Sequence, residues 1–150
     1  MITLDEILSE WGTDSKIDRD DLSTESLKTA NLQSKYLQVL AGIKMSIIRR
    51  KAKLETLMHE KTEWVSGRLT KDAMDAKGWD YDGGLAGRSK PLKGEMDGYV
   101  KVDPDVQKLR VEIQELELSR DTTIEIVNSL QWRHQSIRNS IDYMKFMAGG

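Results

Sequence analysis

The sequence predicts an all-α protein, a long antiparallel helical hairpin of coiled-coil type with a short N-terminal helix and a Gly-rich central loop. Two long stretches, 22–69 and 104–150, repeat apolar side chains every three or four residues with little Pro or Gly. Residues 70–103, between them, hold six of the eleven glycines. We expect one domain over 1–150, with an acidic N-terminal helix and linker in residues 1–21.

Composition excludes several classes of protein. The 150 residues include no Cys and two His, so a disulfide framework, a thiolate zinc site and thiol catalysis are excluded. The first residues are acidic where a signal peptide needs cations, and no apolar run is long enough for a transmembrane helix. No catalytic constellation is recognisable. We therefore expect no enzyme activity, no cofactor, no metal and no membrane partner.

The N-terminal helix has a recognisable start. Thr3 and Glu6 have the spacing of a capping box, and apolar residues follow at helical spacing up to Trp11. Gly12 is expected to end the helix. A helix this short is marginal in water, so it should dock on the rest of the chain or be mobile.

The long basic helix, 22–69, is predicted to start at a cap formed by Asp20 or Asp21. Steps of three and four from Tyr36 give mostly apolar residues up to Trp64, and a second apolar line runs beside this one. Two adjacent lines make a face that is wider than a dimeric seam needs. We therefore expect a homo-oligomer.

The Gly-rich loop, 70–103, cannot continue the helix between Gly78 and Pro91 and is either a functional loop or partly disordered. Its resemblance to a phosphate loop fails on motif order, and its resemblance to a calcium loop fails because Pro91 occupies the last ligand position. The alternation in 99–102 indicates a short strand.

The C-terminal helix, 104–150, should begin with Asp103 as cap and Pro104 in its first turn. Steps of three and four from Val106 give a mostly apolar line that ends before Gly149. This line puts His134 at an inward position, where we expect a buried or interface histidine.

The net charge of −2 conceals an uneven distribution. Residues 26–54 contain seven bases and no acid, whereas residues 1–25 contain eight acids and two bases. Salt screens charge beyond about 8 Å, so a polyanion would sense the local patch more than the total. Either this stretch binds nucleic acid, or it is a solvated face paired with acids such as Glu112, Glu115 and Glu117. Trp79 and Tyr81 are candidates for stacking on bases, whereas Trp64 at a heptad position is more typical of a core.

Three stretches together resemble the UvsY family of recombination mediators from T-even-like bacteriophages. They are residues 17–18 and 22–61 with Ser34-Lys35-Tyr36-Leu37, the aromatic-x-Ser-Gly-Arg signature at 64–68, and the tail 137–149. The resemblance rests on the order and spacing of these stretches.

The resemblance implies a non-enzymatic protein that binds single-stranded DNA as a ring-like homo-oligomer. It suggests seven subunits, and the heptad pattern does not distinguish six from seven. Such a protein helps displace the single-strand-binding protein and load a RecA-like phage recombinase during recombination, repair and recombination-dependent replication. It would act in the cytoplasm of the infected bacterial host. A helical coiled-coil scaffold or virion-assembly protein without a DNA role is the alternative.

The resemblance also implies which residues bind DNA and which serve oligomerisation. The family's basic DNA-contacting positions, just upstream of the signature, correspond to His59 and Lys61, of which His59 departs from the family's lysine. With the basic stretch, the candidate DNA-binding residues are Lys44, Arg49, Arg50, Lys51, Lys53, His59, Lys61 and Arg68. The family's C-terminal helix serves oligomerisation, which here implies Val127, Leu130, His134, Ile137, Ile141 and Met144.

Overall fold

A computed structural model describes residues 2–149, and that part of the chain contains five helices and no strand. The helices are α1 (Leu4–Asp14), α2 (Leu22–Val65), α3 (Lys71–Lys77), α4 (Met96–Lys101) and α5 (Pro104–Met147). α2 packs against α5. The predicted all-α class, with two long helices joined by a Gly-rich segment, is confirmed.

The predicted helix starts are confirmed by their capping bonds. Thr3 and Glu6 form both halves of the capping box of α1. The Asp21 side chain accepts a hydrogen bond from the Thr24 N–H at 3.3 Å, and one Asp103 oxygen accepts from the N–H groups of Asp105 and Val106. These bonds satisfy backbone donors that have no partner inside a helix.

The predicted stop of α1 at Gly12 is wrong, because the helix continues to Asp14. The Asp14 carboxylate accepts hydrogen bonds from Lys35 Nζ at 2.6 Å and from the Tyr36 hydroxyl at 2.8 Å. The Trp11 ring meets the Tyr36 ring edge-on, with centroids 5.4 Å apart. These contacts favour a helical last turn by more than the roughly 1 kcal/mol that a glycine inside a helix costs.

The chain divides into two compact units, and both long helices contribute to each. In the described residues, the first unit comprises 2–46 and 115–149. Its core contains Ile7 of α1, Tyr36 and Ile43 of α2, and Leu130 and Ile137 of α5. Full burial of an aliphatic side chain contributes about 1.5–3 kcal/mol, so these residues account for much of the unit's stability.

The buried stripe of α5 in the first unit differs from the predicted one. Thr123, Leu130 and Ile137 are buried as expected, but Arg133 is buried and its neighbour His134 is exposed. Arg133 Nη2 donates to Glu25 Oε2 of α2 at 2.6 Å. His134 is therefore not buried within the protomer, because α2 lies on the Arg133 side of α5, and its expected place at a subunit interface stays a prediction.

The second unit comprises residues 47–114 and holds α3 and α4. Its core includes Val65 of α2, Leu85 of the Gly-rich segment, Val100 of α4, and Val106 and Leu109 of α5. The predicted strand at 99–102 is wrong, since Met96–Lys101 is helical. An isolated strand would leave its backbone groups unpaired, whereas a helical turn pairs them internally and still buries Val100.

Candidate nucleic-acid interface

The basic stretch of α2 spreads its cations around the helix. In the second unit Arg49, Lys51 and Lys53 are exposed, whereas Arg50 is half-buried. Successive helical residues are rotated by about 100°, so only residues three or four apart share a side. Arg49 and Lys53 meet that condition and form one exposed cationic side. Lys44 is exposed on the part of α2 that belongs to the first unit.

Part of the acid-free stretch is paired with acids from elsewhere in the chain. Arg50 forms an ion pair with Glu112 of α5. In the first unit Lys35 contacts Asp14 at 2.6 Å and Glu10 at 3.3 Å, and Lys28 contacts Glu25 at 2.9 Å. The alternative prediction, in which acids from elsewhere in the chain pair with the basic stretch, is thus confirmed for Glu112. Lys44, Arg49 and Lys53 form no ion pair with the residues that the structure describes.

Lys61 lies in the interior of the second unit and is only 2% exposed. Its ammonium group is 3.1 Å from a carboxylate oxygen of Asp103 and 2.9 Å from one of Asp105. It also lies 4.6 Å from the ring centroid of Trp64 and 3.9 Å from that of Trp79. The structure therefore gives Lys61 four partners within the protein and removes it from the accessible cationic side.

The two tryptophans around Lys61 pack against each other. Their ring centroids are 5.2 Å apart, and Trp64 Nε1 donates to the Asp80 carbonyl at 2.6 Å. Trp79, a candidate for base stacking, has cations near its ring and is half-buried. Tyr81, the other candidate, is 60% exposed, and its hydroxyl is bound to Asp75. That hydrogen bond raises the pKa of Tyr81 above its usual value.

Close contacts with the end of α2 order the Gly-rich segment. Gly84 has a positive φ of 72°, and a Cβ there would lie 2.7 Å from the Trp64 ring. Asp82 accepts hydrogen bonds from the N–H groups of Gly84 and Ala86. Leu85 is buried. The structure thus gives this segment a defined conformation, and the function predicted for the loop stays a prediction.

The remaining predicted contacts, His59 and Arg68, are both exposed in the second unit. Arg68 Nε is 3.1 Å from the Ser66 hydroxyl and 3.8 Å from a Glu63 carboxylate oxygen. The fold also brings in Lys108 of α5, which lines one groove with Lys53. The charge pattern of the sequence does not single out Lys108, because its own helix segment is acidic. The signal that places Lys108 beside α2 is the start of α5 after Asp103, because α5 runs antiparallel to α2 from there.

A model of the family described as "Recombination, repair and ssDNA binding protein UvsY" matches residues 10–150. The chain belongs to the UvsY family. The resemblance found in the sequence is thereby confirmed, over nearly the whole chain.

Solved structures support the same assignment at the level of fold. Crystal structures of the bacteriophage T4 recombination mediator protein UvsY match with TM-scores of 0.79, 0.77 and 0.77. The sequence identities are 23%, 20% and 22%, with 95–99% of this chain and 98–99% of those chains covered. A comparison with curated protein sequences gives no match. In the described part of the chain, no helix is long and apolar enough to cross a membrane, and no cluster of side chains is suited to hold a metal.

In this UvsY-family protein, the predicted oligomerisation residues fall into two groups. Leu130 and Ile137 are buried in the first unit, and Val127 and Ile141 are half-buried there. His134 and Met144 are exposed. Four large side chains of α5 that were not predicted are also exposed, by 63–74%: Trp132, Tyr143, Phe146 and Met147. One outward side of α5 holds Trp132, Asn139, Tyr143 and Phe146, because successive members of this set are seven, four and three residues apart.

Proposed function

We propose that this protein is a phage recombination mediator that binds single-stranded DNA as a homo-oligomer. It helps displace the single-strand-binding protein and load a RecA-like recombinase during recombination, repair and recombination-dependent replication. The family match over residues 10–150 carries the proposal. The proposed site of action is the cytoplasm of the infected bacterial host, with no cofactor.

The exposed cations of α2 supply the chemistry for binding a phosphate backbone. We propose that Lys44, Arg49, Lys51 and Lys53 contact phosphates, with His59 and Arg68 at the margin of the surface. Arg50 and Lys61 contribute indirectly, because they neutralise acids that would otherwise repel DNA. Sequence-independent binding of this kind releases counterions and weakens as salt rises.

The proposed oligomer forms through the outward side of α5 that holds Trp132, Tyr143 and Phe146. Several large, exposed apolar side chains on one side of a helix are typical of protein–protein contacts. A ring of six or seven subunits presents the cationic side many times to one strand. Each weak contact then gains from the high effective concentration of its neighbours, and a strand held by many weak contacts can be released stepwise to the recombinase.

The test is a titration of fluorescent single-stranded and double-stranded oligonucleotides with the full-length protein at several salt concentrations. We expect a preference for single strands. Replacing Arg49 and Lys53 together with Ala should lower the slope of log K against log salt by about 1.4, since each contact on a single strand contributes about 0.7.

The matched control removes one Lys and one Arg elsewhere, by Lys16→Ala with Arg19→Ala, both exposed in the acidic linker. It should leave binding unchanged. Equal, weak binding of both kinds of DNA would instead favour the coiled-coil scaffold or virion-assembly protein.

A further inference from the structure

A shallow groove lies between α2 and α5 in the second unit, with a volume of about 220 Å³. Two lysines, two leucines and two acids line it: Lys53, Leu57, Asp105, Lys108, Leu109 and Glu112. Leu109 is 5% exposed and Leu57 is half-buried, whereas both lysines are exposed. The groove therefore has an apolar floor and a cation on each wall.

Both acids of the groove are already engaged. Asp105 is 2.9 Å from the buried Lys61 ammonium, and Glu112 is paired with Arg50. Asp103, the second acid on Lys61, also accepts hydrogen bonds from the first N–H groups of α5. Lys61 and Arg50 thus offset two of these three acidic charges near the groove.

The two lysines have no such compensation. Neither Lys53 nor Lys108 forms an ion pair with any residue in the range 2–149. Arg49 extends the same side of α2, one turn before Lys53. The groove and its rim consequently carry an excess of positive charge that comes from two different helices.

This arrangement fits one unit of a sugar–phosphate backbone. An anionic phosphodiester between two ammonium groups gains from both, and the sugar beside it covers the apolar floor. A single strand can lay its backbone into such a groove, because its chain is not held in a rigid duplex. A nucleic-acid backbone therefore matches both the charge and the floor of the groove.

We propose that Lys108 is a phosphate-contacting residue and that a phosphodiester of single-stranded DNA lies between Lys53 and Lys108. This inference rests on the proposed function and adds a second helix to the DNA-binding surface. The contact set then spans α2 and α5 of the same protomer.

The experiment measures binding of a fluorescent oligothymidylate to the full-length protein between about 0.05 and 0.5 M salt. Lys108→Ala should weaken binding about fivefold at about 0.1 M salt and lower the salt slope by about 0.7, as expected for one lost contact. Lys108→Arg, which keeps the charge, should bind like the unaltered protein. Because Lys108 is exposed, neither variant should change the helical content measured by circular dichroism.

Lys16→Ala is the matched control, an exposed lysine that likewise has no ion pair among the described residues. If Lys108→Ala binds like Lys16→Ala while the Arg49/Lys53 double variant is weakened, the inference is wrong and the proposed function stands. If the unaltered protein does not bind the oligonucleotide, the proposed function fails, and the inference fails with it.

Discussion

Lys61 illustrates how one side chain can have a role that its sequence position does not reveal. Its ammonium group contacts two acids that follow it by 42 and 44 positions, the Trp64 ring at the end of α2 and the Trp79 ring in the Gly-rich segment. A buried charge without partners is costly. The two carboxylates and the two rings together offset this cost for the Lys61 ammonium group. Through these contacts Lys61 joins the end of α2 to the start of α5.

Replacing Lys61 with Met should destabilise the protein by about 3 kcal/mol, measured by urea denaturation. The physical reason is that Asp103, whose side chain is 10% exposed, loses its compensating charge. Tryptophan fluorescence should report the same transition, because Trp64 and Trp79 flank the site.

Two variants control that measurement. Lys53→Met changes an exposed lysine of the same helix and should shift stability by no more than about 0.5 kcal/mol. Adding Asp103→Asn to Lys61→Met should restore part of the loss, since Asn removes the uncompensated charge and still caps α5. Equal stability of Lys61→Met and the unaltered protein would show that the buried contacts contribute nothing.

At the scale of elements, α1 is held by a small polar cluster rather than by a large apolar face. Ile7 is its one fully buried side chain among the described residues. Burial opposes ionisation of Asp14, but hydrogen bonds from Lys35 and Tyr36 outweigh it and hold the pKa of Asp14 below the usual 3.8. The hydrogen bond to Asp14 raises the pKa of Lys35, and burial raises that of Tyr36.

The docking of α1 should therefore depend on pH at both extremes. A carboxyl whose pKa is lowered by folding stabilises the folded state above pH 3.8 and loses that contribution as the pH falls through the lowered pKa. The raised pKa of Tyr36 makes stability fall as the pH rises above 10. The protection factors of the α1 amides, which divide out the intrinsic pH dependence of exchange, should be highest between these limits.

Asp14→Asn tests the same cluster at neutral pH. It should cost about 1–2 kcal/mol and speed amide exchange in α1, because a neutral amide binds the Lys35 ammonium weakly. Asp18→Asn, an exposed acid of the linker, is the control. Unchanged exchange in Asp14→Asn would contradict the role of this cluster.

At the scale of the whole molecule, both long helices contribute to both units, and α5 has two distinct apolar sides in the first unit. Leu130 and Ile137 face the protomer's own core, whereas Trp132 and Phe146 face outward. A heptad pattern alone cannot tell these sides apart. The structure separates residues that stabilise the protomer from those proposed to join protomers.

Trp132→Ala combined with Phe146→Ala should lower the mass measured by sedimentation and leave protomer stability nearly unchanged. The exposed rings are the proposed subunit contact, and their loss should also weaken DNA binding through lost multivalency.

Leu130→Ala is the contrasting variant, because it removes a buried side chain and should cost about 2–5 kcal/mol of stability. Gln131→Ala, exposed beside Trp132, should change neither property. An unaltered mass in the double variant would place the subunit contact elsewhere.

The local signals in the sequence were sufficient for the helix starts. The caps at Thr3, Asp21 and Asp103 each act within a few residues, so their chemistry can be read without knowing the fold. The same holds for the family, since the order and spacing of three stretches led to UvsY before the family match confirmed it. The positions of the DNA-binding residues stay a prediction.

The all-α class, the two long helices, the acid-free stretch of α2 and the family can all be predicted from the sequence alone. Only the packing of the helices shows that Arg133 rather than His134 is buried, that Lys61 is enclosed, and that Lys108 lines a groove together with Lys53. The physical reason is that helical periodicity fixes which residues share a side of one helix. Which of those sides meets the partner helix depends on the antiparallel packing, and that packing joins residues far apart in the chain.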